Sequence, residues 1–171
     1  MTYRPREAAL TQAYLKSRLS YDRETGIFVW TEPPHNHMRL LGCEAGGKGT
    51  GYVMIKIDGV KYKAHRLAWL YETGEMPPER IDHWDTDTFN NAFGNLRPAT
   101  QAQNCANSRV CKNKASGLPK GVKALPSGRF QARIRFETRA IHLGSFDTAE
   151  EAHAAYFAEA QRLYGEFARA A

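Results

Sequence analysis

The segment RIDHWDTDTFNNAFGNLRPATQAQN, residues 80–104, gathers an acid, an imidazole and several amides in one short stretch. Asp82 and His83 are adjacent; Asp85, Asp87, Asn90, Asn91 and Asn95 follow, and Asn104 closes the run. An imidazole titrates near neutrality and can take a proton from water. Carboxylate and amide oxygens are hard ligands that suit a magnesium-like ion, whose shell is completed by waters and a substrate phosphate. Hydrolysis of a phosphodiester needs a base, a cation that neutralises charge on the transition-state oxygens, and a scaffold holding the two together. On these grounds His83 is the candidate base. Asp82 and Asn104 are the candidate ligands of one divalent cation, magnesium first and manganese second.

The elements that must position these groups follow from local pattern. Ile81 opens a short strand whose alternation puts Asp82 and His83 on opposite faces unless a bulge intervenes. A long loop follows, and Leu96-Arg97 makes the returning strand. Thr100 caps a helix with Gln103 as its box partner. Asn104 and Asn107 lie three apart on that helix. Upstream, Val53, Ile55 and Ile57 alternate as a strand, Asp58-Gly59 marks a hairpin turn, and a helix starts near His65 and stops at Gly74. Capping or packing accounts for His65. The N-terminal 50 residues read as a helix over LTQAYLKSRLSY, a turn at Glu24-Thr25-Gly26, a strand over Ile27–Trp30 and a Gly/Pro-rich loop. His35 and His37 fall in that loop, and two histidines alone are a weak metal signal.

The Asp-His, Asn-Leu-Arg and Thr-x-x-Gln-Asn words occur in order across Gly51 to Arg109. This segment resembles the ββα-metal (His-Me finger) nucleases called HNH, in the form common to phage and mobile-intron homing endonucleases. The resemblance implies Asp82 as metal ligand, His83 as general base and Asn104 as second metal ligand. It gives Asn95 the middle position, where an Asn holds the loop and orients the histidine, and it makes Asn91 structural. Arg97 and Arg109 would lie near the phosphate path. Relatives often carry an aliphatic residue and a glycine where this chain reads Trp84-Asp85-Thr86-Asp87, and a basic residue in place of Ala92. A glycine replaced there strains the loop turn.

Beyond a basic linker, residues 112–120, three short strands and a helix over Thr148–Tyr164 are expected. Asp147-Thr148-Ala149-Glu150 would be the helix's capping box. Lys112 to His142 carries a net +7 out of a chain total of +6, so the charge is concentrated where a phosphate backbone would be bound. Arg129, Gln131, Arg133 and Arg135 recur with period two and line one strand face, while Phe130, Ala132, Ile134 and Phe136 take the other. The stretch Ile-His-Leu-Gly-Ser-Phe-Asp-Thr-Ala-Glu-Glu-Ala resembles AP2-type DNA-binding domains over Gly121 to about Ala168. That resemblance implies a sheet laid in the major groove, with Lys112, Lys114, Lys120 and Arg139 adding to the basic surface.

The fold class expected is therefore α+β: a ββα-metal nuclease core followed by a small three-stranded antiparallel sheet packed on one helix. The divisions are 1–50 accessory, 51–111 nuclease, 112–120 linker and 121–171 DNA-binding. With 42% hydrophobic and 25% charged residues the chain is a soluble folded type, with no apolar run long enough to span a membrane. Cys43, Cys105 and Cys111 are odd in number and lack zinc spacing, so they read as free thiols. The functional expectation is a cytoplasmic DNA endonuclease acting on double-stranded DNA, a nickase as a monomer and a double-strand cutter only as two copies. The alternative is a DNA-binding protein of nuclease descent without catalysis.

Overall fold

The computed structural model describes residues 10–77, 79–108, 117–136 and 139–169. The chain divides into two compact units, Met1–Pro98 and Ala99–Ala171.

In the first unit, helix α1 (Gln12–Arg18) starts at Thr11, whose hydroxyl accepts from the Tyr14 amide, and it ends one turn earlier than the pattern suggested. Leu19–Tyr21 is instead a strand, β1, paired antiparallel with β2 (Phe28–Trp30). The apolar side chains of both strands are drawn inward: Leu19, Phe28 and Trp30 are buried. The Gly-rich loop contributes a two-residue strand, β3 (Gly47–Lys48), on the edge of the hairpin β4 (Val53–Ile57) and β5 (Val60–Lys63). Asp58 (φ 47°) and Gly59 (φ 82°) make its turn, as the Asp-Gly pair requires. Helix α2 (Ala64–Thr73) follows and stops at Gly74, which adopts φ 84° and donates its N–H to Leu70 O. Leu15, Leu19, Phe28, Ile55, Ile57, Leu67, Ile81 and Leu96 form one core, so the N-terminal hairpin and the strands around Asp82 share the same buried interior. Each such aliphatic side chain contributes roughly 1.5–3 kcal/mol on burial.

The ββα order is β6 (Arg80–His83), β7 (Leu96–Ala99) and α3 (Gln101–Asn107). β6 and β7 form a two-stranded sheet. The capping box of α3 is complete: Thr100 Oγ1 accepts from the Gln103 N–H, and Gln103 Oε1 accepts from the Thr100 N–H.

In the second unit, α3 is followed by an antiparallel sheet of order β10-β9-β8, built from β8 (Val122–Ala124), β9 (Phe130–Phe136) and β10 (Arg139–Phe146). Helix α4 (Ala149–Tyr164) packs on one face through Ala152, Tyr156 and Ala160 against Val122, Ala132 and Ile134. Thr148 caps it, with Glu151 as the box partner rather than Glu150, because the box residue must stand three positions inside the helix. Register slips between His142 and Gly144, which extends β10 beyond the expected Leu143.

Candidate active site

Asp82 and His83 end strand β6 and are each only 4% exposed. The strand's inner three residues are all buried, so pleat alternation does not bring either group to solvent. The loop from Trp84 to Asn95 is closed at its base by the Trp84 N–H donating to Asn95 O. Asn95 then staples it from inside. Its Oδ1 accepts from the Asp85 N–H, and its Nδ2 donates to Asp85 Oδ1 and Asn90 O, at 2.9–3.0 Å. Asn90 Nδ2 adds a bond to Asp85 Oδ2. Burial pushes the Asp85 carboxyl up, but these donors outweigh it and hold the group below its ordinary value.

Asn95 thus braces the loop, while the side-chain amide that bears on the His83 ring is that of Asn91. Burial lowers the His83 pKa; the neighbouring Asn91 amide and the charges of Asp85, Asp82 and Asp87 oppose the shift without reversing it. The ring is therefore neutral near pH 7, the state a base requires. Asn91 is itself 3% exposed, and its Nδ2 donates to Phe89 O. Its backbone is fixed from the N-terminal hairpin. Tyr21 Oη donates to Asn91 O at 2.7 Å, and the Phe93 N–H donates to Arg23 O at 3.0 Å. Gly26, at φ 73°, lies so close that a Cβ there would stand 2.2 Å from Ala92 N. The residues expected to be accessory are thus a wall of the site's loop. Nothing in the spacing of Tyr21, Arg23 and Gly26 signals this, because the contacts join positions about seventy residues apart.

Arg97 lies on Asp82: its Nε and Nη2 both reach Asp82 Oδ2 at 2.9 Å. Its guanidinium also stacks 4.4 Å from the centre of the Trp84 ring, and Trp84 is 52% exposed. Thr86, in the Trp84–Asp87 stretch, adopts φ 65°. This is a left-handed conformation that a β-branched residue resists.

The donor types suit a hard divalent ion. Asp82 offers a buried carboxylate, and Asn104, half-buried on α3, offers an amide oxygen. Among the described residues no three His, Cys, Asp or Glu side chains are gathered to hold a metal unaided. A cation held by either group would rely on water and a substrate phosphate for most of its ligands.

In the second unit, Arg133 and Arg135 are exposed while Ala132 and Ile134 are buried, so period two does separate a polar face from a packed one. Gln131 shares the polar face and lies 3.2 Å from His142 Nδ1. His142 opposes Arg133 across the strands. Arg139 opposes Phe136 and is in phase with Ile141, which packs toward α4, so it sits at the sheet's end on the other parity. Arg129 precedes β9, where it pairs with Asp147 and donates to Ser145 O. Lys120 is engaged in a different way: its ammonium donates to Cys105 O, Ala106 O and Ser108 O at 2.6–2.9 Å, at the C-terminal end of α3. Arg109, Lys112 and Lys114 lie outside the described residues.

A β-β-α unit with an Asp-His pair closing its first strand defines the class of ββα nuclease domains. Residues 62–106 match the family model described as HNH endonuclease, and the chain carries an HNH-family nuclease domain. A protein of Acanthamoeba polyphaga mimivirus described as an uncharacterized HNH endonuclease is 31% identical over 116 residues. The match covers 67% of this chain and 59% of that protein's length. No solved structure matches the chain. Among the described residues no helix is long and apolar enough to cross a membrane.

Proposed function

We propose that the protein is a metal-dependent DNA endonuclease of the homing type that nicks double-stranded DNA. The observation that carries this reading is the buried Asp82-His83 pair, with an imidazole that burial keeps neutral, inside the HNH-family segment. His83 accepts the proton of the attacking water. Asp82 and Asn104 would hold one magnesium or manganese ion, which supplies charge neutralisation at the transition-state phosphate and the departing 3′-oxygen. Asn95 keeps the loop closed, and Asn91 keeps the ring in place. Arg97 and Arg109 are the proposed phosphate contacts. The C-terminal sheet serves placement in the manner of AP2-type domains, with Arg133, Arg135 and Gln131 presented to DNA. Lys112, Lys114, Arg129 and Arg139 add positive charge around it. With one such site per chain a monomer cuts one strand per engagement, in the cytoplasm of the cell that holds the target.

A second reading, DNA binding without cleavage, is favoured by Arg97, whose guanidinium already neutralises Asp82. Supercoiled plasmid incubated with magnesium or manganese decides between the two. The nuclease gives relaxed circles that vanish with a chelator and fall by about 10²–10⁴ in His83→Ala. Salt-dependent binding with no relaxation under either metal leaves only the binding reading.

A further inference from the structure

His65 is a buried titratable group that the proposed chemistry leaves unused. It is 5% exposed, sits in the first turn of α2, and its Nδ1 has no hydrogen-bond partner. An unmet buried nitrogen is destabilising, and an aliphatic side chain would avoid it. What the ring does contact is specific. The His65 and His83 ring centres are 5.0 Å apart with planes at 89°, the edge-to-face arrangement that aromatic pairs prefer. Tyr52 closes the cluster, 5.2 Å from His65 at 61° and 6.3 Å from His83 at 38°. Tyr52 is held in turn by the Lys63 ammonium, 4.0 Å from its ring centre. Tyr52 and His65 both flank the His83 ring, and of these two rings it is His65 that meets it at a right angle.

We propose that His65 is a positioning residue for His83: its ring, fixed by the start of α2, sets the plane of the imidazole that takes the proton. This rests on the reading of His83 as the base. Burial, with the neighbouring His83 ring and the Lys63 and Arg66 charges, pushes the His65 pKa down to about 3. The ring beside His83 is thus uncharged and places no cation against the proton that His83 must accept.

The test compares His65→Phe, which keeps a flat ring, with His65→Leu, which keeps comparable bulk without one, in the full chain. Histidine ¹³C–¹H spectra report the His83 ring directly, because a neighbouring ring shifts its protons. Single-turnover plasmid nicking and DNA affinity are measured beside them. The expected result is that His65→Leu moves the His83 signals and slows the chemical step on the order of ten- to a hundred-fold. DNA affinity stays at the wild-type value, and His65→Phe restores both the signals and most of the rate. Unmoved His83 signals in His65→Leu, or a nicking rate within about two-fold of wild type, overturn the proposal. Loss of rate with an equal loss of DNA affinity also overturns it. If the wild-type protein does not nick at all, the nuclease reading fails, while the His83 signals still decide whether His65 sets that ring. If His65→Leu does not fold, His65→Phe decides: displaced His83 signals there overturn the proposal, and unmoved signals uphold it.

Discussion

The two regions assigned to chemistry and to recognition treat their polar side chains in opposite ways. Asp82 and His83 are 4% exposed and stand within a network that includes Arg97, Asn91 and the His65 ring. On the polar face of the C-terminal sheet Arg133 and Arg135 are exposed, and beside it even the Arg129–Asp147 pair leaves its side chains 50% and 82% exposed. Buried polar groups must be satisfied by neighbours and so hold a geometry; exposed ones remain free to adapt to what they meet. On the proposed function, a mutation in the first region should therefore act on folding and turnover together, and one in the second on binding alone.

The sharpest way to break that contrast is through a residue far from the Asp-His pair in sequence but pressed on its loop. Gly26→Ala forces a Cβ against the Asn91–Ala92 backbone and demands a left-handed backbone of a residue that resists it. It should lower stability by about 3 kcal/mol and reduce nicking further than the melted fraction explains, read by urea denaturation beside a nicking assay. Acid is the next lever. The folded pKa of His65 lies near 3 against 6.5 for the free side chain, so its contribution to stability is fully present above about pH 6.5 and is lost as pH falls toward 3. Urea melts between pH 7 and 4 should show stability falling by up to about 1.4 kcal/mol per pH unit from this group, and less steeply in His65→Phe. His83, also lowered by burial, adds in the same direction.

On the recognition side, Arg133→Ala and Arg135→Ala should each weaken DNA binding by about 1 kcal/mol and reduce the salt slope by about one. Their melting curves should stay within about 0.5 kcal/mol of wild type. A large stability loss there would erase the distinction between the regions. The smallest effect expected is a gain. Thr86→Gly relieves the φ 65° strain beside the site and should stabilise the fold by about 1 kcal/mol, measured by the shift in urea midpoint.

The elements written in local pattern were legible in the sequence. The Thr100–Gln103 box, the Asp58-Gly59 turn, the Gly74 stop and the alternation of Ala132, Arg133, Ile134 and Arg135 all stand where period and capping chemistry put them. Leu19–Tyr21 was read as helix because its propensity is permissive, and pairing with Phe28–Trp30 overrides it. In the site, the order Asp82, His83, Asn95, Asn104 is visible in the chain, but the contacts that set their behaviour are not. Arg97 reaching back to Asp82, Asn91 meeting the His83 ring, and Gly26 pressed on Ala92 depend on how separate segments fold together. A motif records which residues are present and is silent on what each one touches. Lys120 is the clearest case: its type and neighbourhood suggested a DNA contact, and its ammonium is instead bonded to three carbonyls.

That lysine also bears on where the protein could be cut and joined. Helix α3 has seven residues, too few to persist alone in water, and its C-terminal carbonyls are met by the side chain of Lys120. Ala99 and Ala106 are covered by Phe167 and Tyr164, near the end of the chain. The segment matched by the family model stops at residue 106, short of all three of these supports. The stretch matched by the family model is therefore smaller than the stretch that folds. A chimera spliced within residues 109–116 would inherit α3 without the groups that hold it helical, and shuffling of the C-terminal unit between nucleases would have to carry α3 along with it.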